Sequence, residues 1–361
     1  MNIKERNEKA KQFILDQLAM AAQLNESDFD DLPDFHNLKS LTQDLIYANS
    51  MGFRGVVATA LTGRFLDEKY DFLNDFYGCK PRPVFENGIF YAFREMKIPC
   101  GKSDPLNVAK NISVLDESWA KGKKPQKAAM AVINLLRIID NQKDDTIQKK
   151  IINYFFFRLL SFSKENASIS IHTLDEAFLS NQIVASKLIS FVLKYPEAGT
   201  TPQVVVSKIL SYIYDKSSIN VVGGDESVFG TNTTSKKPAD IWTEDDKGIF
   251  NLYEITVKKI DYKRLDDSIQ SLIDTECLEK PILFVCRIPD DIDTLDGYQN
   301  GVLTYNNKAF NFVDISDFIK CSIALLSSEQ IENLLSEMED FVGSYLRPVK
   351  TKNGWNEIFS I

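Results

Sequence analysis

The sequence predicts a mixed α/β (α+β) protein: a mainly helical N-terminal half, then a core of mixed β-sheet flanked by helices. Three observations lead there. Up to about residue 195, apolar residues recur at helical spacing between Pro- and Gly-containing breaks. Beyond Tyr195-Pro196-Glu197-Ala198-Gly199 the character changes, and short β-prone runs alternate with helical ones. Those runs follow the order helix, strand, strand, strand, helix, strand. Strands that begin as a hairpin meander and end through a helical crossover combine antiparallel and parallel pairs in one sheet. At 361 residues the chain has room for two domains, placed at 1–196 and 197–361.

Taken in order, residues 3–24 form an amphipathic pattern carried by Ile3, Phe13, Ile14 and Leu18, ended by an acidic turn with Pro33. Helical patterns follow around 38–50, 53–65, 88–97, 126–141, 145–163 and 180–195. Thr201-Pro202 supplies an N-cap and a proline at the first helical position for a helix over 202–215. Ile219–Val222 is a short strand, and a loop rich in Gly, Ser and Thr spans 223–237. Ala239–Thr243 and Ile249–Val257 are strands joined by Glu244-Asp245-Asp246-Lys247-Gly248, which has hairpin-turn chemistry. A helix over 264–275, a buried strand Ile282–Cys286, a strand around Phe310–Val313 and helices over 315–326 and 328–342 complete the chain.

Composition narrows the chemistry. A hydrophobic fraction of 44% with 26% charged residues is that of a globular protein rather than a disordered or coiled-coil chain. No apolar run approaches the roughly 20 residues that span a bilayer, and the N-terminus lacks a signal-peptide pattern, so a cytoplasmic protein without membrane contact is expected. Cys79, Cys100, Cys277, Cys286 and Cys321 are scattered and odd in number, which points to reduced thiols in packing roles. With only His36 and His172, far apart, a His-based zinc site, a Ser-His-Asp triad and an HNH-type nuclease all lack their parts. The net charge of −9 describes an average field and leaves room for a local basic face.

The informative stretch is Lys236-Lys237-Pro238-Ala239-Asp240-Ile241-Trp242, followed by Tyr253-Glu254-Ile255-Thr256-Val257-Lys258-Lys259. The turn between the two makes their strands antiparallel neighbours, so both carboxylates can converge. On a strand, Glu254, Thr256 and Lys258 share one face while Ile255 and Val257 enter the core. Mg²⁺ takes oxygen ligands, commonly one or two carboxylates with water and phosphate oxygens completing its shell. A nearby ammonium can orient the attacking water and stabilise charge developing on a phosphate. The same pattern also describes a half-exposed strand, and Asp240 could simply cap a turn.

Pro238-Ala239-Asp240, then Glu254 and a lysine soon after, resembles the PD-(D/E)xK nuclease superfamily, which includes most type II restriction endonucleases. The resemblance covers about 200–290, and the element order is similar to that family's core. It implies metal binding by Asp240 and Glu254, a catalytic lysine, Mg²⁺ as cofactor and double-stranded DNA as substrate. It also implies a homodimer cutting both strands and a cognate DNA methyltransferase in the same system. An alanine separates Pro238 from Asp240 here, and Thr256 stands where the family lysine falls, so Lys258 is taken as the catalytic lysine. A structure-specific repair-type nuclease, or an inactive DNA-binding protein of the same fold, are the alternative readings.

Weaker signals lie elsewhere. Lys121, Lys123, Lys124 and Lys127 could grip DNA phosphates or form a solvated loop. Arg54, Arg64, Arg82 and Arg94 could contact bases or phosphates, or serve in surface ion pairs. Cys100-Gly101-Lys102-Ser103 ends like a phosphate-binding loop but lacks the first glycine and a preceding strand, and reads as a turn. Phe155, Phe156 and Phe157 read as core, Asp225 and Glu226 as turn residues, and Ser268 and Gln270 as facing DNA or water.

Overall fold

The computed structural model describes residues 2–172, 180–224 and 237–360. Most of the Gly/Ser/Thr-rich loop, with Asp225, Glu226 and Lys236, lies outside the described residues. The chain divides into two compact units: Met1–Ser170 with Tyr345–Pro348, and Ile171–Ser344 with Val349–Ile361. The division by sequence at 196/197 assigns the helix over 180–195 to the first half; that helix packs inside the second unit. Among the described residues no helix is long and apolar enough to cross a membrane.

Helices of eight residues or more are numbered. The first unit is helical, built on α1 (Ile3–Ala21), α2 (Phe35–Ile46), α3 (Gly52–Leu66), α4 (Gln126–Asn141) and α5 (Asp145–Ser168), with shorter helices between Phe76 and Lys121. Apolar stripes at helical spacing make its core: Ala10, Ile14 and Leu18 of α1 are fully buried, as are Phe155 and Phe156 of α5. The Phe155–Phe156 pair is therefore core, as the sequence suggests. Cys100–Ser103 forms a turn closed by Asp104, whose carboxylate accepts the Gly101 N–H.

The second unit is a three-layer α/β/α sandwich. Its sheet contains β1 (Asn220–Gly223), β2 (Ile241–Asp245), β3 (Gly248–Ile255), β4 (Ile282–Cys286), β5 (Val302–Tyr305) and β6 (Lys308–Asp314), in the spatial order β1-β2-β3-β4-β6-β5. β1, β2 and β3 are antiparallel neighbours, β3, β4 and β6 run parallel, and β5 closes the edge antiparallel to β6. The mixed sheet expected from the order of elements is thus present. The β2–β3 turn is Asp246-Lys247, with the Asp245 carboxylate accepting the Lys247 N–H at 2.7 Å. Between Thr243 and Glu244 the register shifts by one: Thr243 pairs with Asn251 but Glu244 with Ile249, leaving Phe250 as a surplus residue, a β-bulge.

The two faces of the sheet are covered differently. Tyr253 and Ile255 of β3 join Ile241 and Val285 against α6 (Asn181–Lys194), α7 (Thr200–Tyr214), α9 (Ile315–Ile323), α10 (Ser328–Gly343) and α11 (Val349–Phe359). Leu252, Ile282, Phe284 and Phe312 face the other way, packed against Leu265 and Leu272 of α8 (Tyr262–Asp274), the β3-to-β4 crossover. Truncating one such core leucine costs about 2–5 kcal/mol. Gly199, at φ 119°, caps α7, which begins at Thr200 rather than after a Thr201 cap.

Candidate metal centre

The register of the hairpin carries the site. Ile241 pairs with Tyr253 and Trp242 with Leu252, so the next step of the ladder sets Asp240 directly across from Glu254. Opposite residues on an antiparallel pair project to the same face, here the face of Leu252 and α8. Asp240 is locked there by the Ile255 N–H, which donates to its Oδ2 at 2.9 Å. Its own carbonyl accepts from the Gln203 side chain of α7 at 3.3 Å. Gly223 at the end of β1 makes this approach possible, since a Cβ there would lie 2.3 Å from the Asp240 carbonyl oxygen. Gly223 also has φ 89°, a left-handed value that side chains resist.

Glu254 is only 5% exposed, while Asp240 is half-buried. The two carboxyl groups lie close enough to bias each other's titration, Asp240 raising the pKa of Glu254. Both have pKa values raised above the carboxylate range. For Glu254 burial comes first and the neighbouring Asp240 charge second; for Asp240 burial dominates, partly offset by the Ile255 N–H and Arg264. The pair lies where β3, β4 and β6 end together, at the carboxyl edge of the parallel strands, where open α/β sheets place their ligands.

A third charged group reaches the pair from a separate element. Arg264, in the first turn of α8, places Nη2 3.3 Å from Glu254 Oε2. The sequence pattern does not bring it to the pair, because its meeting with Glu254 is a contact between a helix and a strand distant from any local motif. The helix begins at Tyr262, capped by Asp261, whose Oδ1 accepts the Arg264 N–H at 2.9 Å. An available signal was Lys263-Arg264 in a first turn with no acidic residue, against the usual preference of helix N-termini.

The expected strand face stops short. β3 ends at Ile255; Thr256 N–H still reaches the Val285 carbonyl at 3.0 Å, but Thr256 Oγ1 then accepts the Lys258 N–H at 3.1 Å and the chain bends. Lys258 therefore sits on a bend, not on a third step of the strand face with Glu254 and Thr256, and the alternation argument for it lapses. Its side chain is exposed yet feels the site. Burial of its neighbourhood and the Arg264 charge lower its pKa, and Asp240 opposes them. Lys259 donates to Asp293 at 2.5 Å.

The remaining candidates fall elsewhere. Lys121, Lys123, Lys124 and Lys127 belong to the first unit, and Lys127 is paired with Asp44 at 2.9 Å. Arg54 is 1% exposed and spent on the carbonyls of Pro99 and Ala48, so it is no nucleic-acid contact. Arg64 is paired with Asp140 and Arg82 with Glu86. Ser268 is buried in α8 rather than facing outward, and Gln270 is exposed with its amide on Asp274.

Among the described residues, no group of three or more His, Cys, Asp or Glu side chains is gathered to hold a metal. What is gathered is a pair. Two touching carboxylates, all oxygen and with one guanidinium against two potential charges, suit a hard hydrated cation such as Mg²⁺, which needs only one or two carboxylates. No protein-family model matches this chain, and no curated protein matches it.

Proposed function

We propose that the second unit is a Mg²⁺-dependent nuclease centre that hydrolyses phosphodiester bonds of double-stranded DNA, in the manner of a type II restriction endonuclease. The observation that carries the reading is the Asp240–Glu254 pair, set in register at the carboxyl edge of the parallel strands. Asp240 and Glu254 would hold the ion. Bound there, it would acidify a water and neutralise charge on the phosphate.

The protein's own groups do the rest. The Ile255 N–H fixes the Asp240 carboxylate, and strand packing fixes Glu254. Lys258, with its lowered pKa, is nearer than an ordinary lysine to taking up a proton from the attacking water. In this reading the cutting unit pairs into a homodimer, and a DNA methyltransferase in the same system protects the host.

Incubating the purified protein with varied duplex DNA and Mg²⁺ tests the proposal. Discrete, site-dependent fragments that vanish with Asp240→Ala support it. Cutting confined to flaps or junctions would assign the same centre to repair. DNA binding without turnover under any divalent ion would leave an inactive binding protein, a reading favoured by Thr256 in the lysine position.

A further inference from the structure

We infer that Arg264 is a phosphate-contacting residue of this centre: it bonds Glu254 while the carboxylate pair holds no cation, and turns to the DNA phosphate when a cation takes that pair. The inference rests on the nuclease reading and adds to it a residue from a different element.

Its position is the first argument. Arg264 lies in the first turn of a 13-residue helix whose only acidic group there is the capping Asp261. A cation at a helix N-terminus is disfavoured by the helix dipole. Together with the neighbouring Lys263, it sets two cations in that turn beside two carboxylates, where an anionic substrate has to be held.

The second argument is the state of its donors. The contact to Glu254 is a single N–H···O bond of 3.3 Å, longer than the roughly 2.7–2.9 Å of a strong ionic hydrogen bond. Nε is buried and has no partner. A guanidinium offers five donors in a rigid fork that matches a phosphate in two-point contact. Leaving a buried donor unmade is unfavourable, so this side chain holds recognition capacity in reserve. Ser268, one turn along the same helix face, likewise keeps a buried hydroxyl without a partner.

The third argument is competition. A divalent cation on Glu254 repels the guanidinium and claims the oxygen it now shares. A phosphate drawn to that cation would lie beside Glu254, within the span Arg264 already bridges. Of the described lysines near the pair, Lys258 is exposed on the bend, Lys259 is held by Asp293, and Lys237 acts on Asp240 rather than on Glu254.

The test compares wild type, Arg264→Ala and Arg264→Lys, with circular dichroism to verify folding. Mg²⁺ and Ca²⁺ binding without DNA is measured by calorimetry. Binding of a duplex in Ca²⁺ is measured by fluorescence anisotropy across a KCl series. Arg264→Ala should bind the metal ions as tightly as wild type or better. Its DNA affinity should fall about tenfold, with the slope of log K against log salt shallower by about one. Arg264→Lys should restore the slope but not the full affinity. Wild-type DNA affinity and slope in Arg264→Ala would overturn the inference. So would loss of metal binding in a folded variant, which would make Arg264 a positioning residue for Glu254. If Arg264→Ala does not fold, Arg264→Lys decides by the same measurements. Wild type that binds neither metal nor DNA would sink the nuclease reading itself, a result distinguishable because it needs no variant.

Discussion

Asp240 and Glu254 face each other across one step of the β2–β3 ladder, and the backbone N–H of the next residue, Ile255, holds the first carboxylate at 2.9 Å. Two acids are thereby fixed side by side in a desolvated position, an arrangement that works against folding and in favour of a cation.

That opposition predicts a stability cost. Both carboxyl pKa values are raised in the folded protein. Groups raised in this way stabilise the fold fully below the unfolded carboxylate pKa, and the contribution is lost as pH climbs through the folded values. Asp240→Asn keeps an acceptor for the Ile255 N–H and removes one charge. The metal-free variant should match wild type near pH 4. Above neutrality it should be more stable by on the order of 1–3 kcal/mol. Thermal melts in a chelator at both pH values check this, and saturating Mg²⁺ should stabilise wild type but not the variant.

The two adjacent lysines should separate sharply. Lys258→Ala should slow cleavage on the order of a hundredfold or more while DNA binding stays nearly intact, since its proposed action is on the water. Lys259→Ala loses an exposed ion pair with Asp293, worth at most about 1 kcal/mol, and should keep most of the rate. Single-turnover rates beside binding isotherms for both variants are the measurement.

Gly223 and Gly248 both have positive φ, of 89° and 106°, but only Gly223 is crowded. Gly248→Ala meets nothing within 4 Å and should cost about 1–2 kcal/mol of backbone strain. Gly223→Ala adds a collision with the Asp240 carbonyl. It should cost about 3 kcal/mol or more and lower metal affinity as well. Denaturant titrations with Mg²⁺ calorimetry distinguish a strained fold from a displaced ligand.

Arg54 should behave as a structural residue. It donates to two carbonyls and lies 4.5 Å over the Phe162 ring, and burial pushes its pKa down to about 10. Arg54→Ala leaves both acceptors and a void, costing about 3–5 kcal/mol. A folded Arg54→Ala protein with unchanged stability and weakened DNA binding would contradict this.

Much of the second unit is legible in the sequence, and the reasons are local. Period-two runs around Asp245–Gly248 fix the hairpin, and the two acids follow from it. Lys258 was misplaced because a strand's end depends on its neighbour: pairing with β4 runs out at Val285, and the Thr256 hydroxyl then captures the chain. β5 goes unread in the sequence analysis; its mark is Asn306-Asn307, both at positive φ in a tight turn before β6. Arg264 leaves only the faint mark of two basic residues in a helix's first turn, for a different reason. Its meeting with Glu254 is a tertiary contact between a helix and a strand, set by how Leu265 and Leu272 pack over Leu252.

The surplus Phe250 gives the hairpin two arms of unequal length. Removing Phe250, or adding one residue to β2 between Thr243 and Glu244, would equalise the arms and still leave Asp240 facing Glu254. Alignment of the acids is therefore not what the extra residue supplies. What a bulge does add is local bend and right-handed coiling, so it governs the direction in which the pair is aimed rather than its existence. Shortening β2 instead would double the inequality. The hairpin should accept length changes on one arm in one direction only, and the orientation of the carboxylates, more than their spacing, is the property those changes would alter.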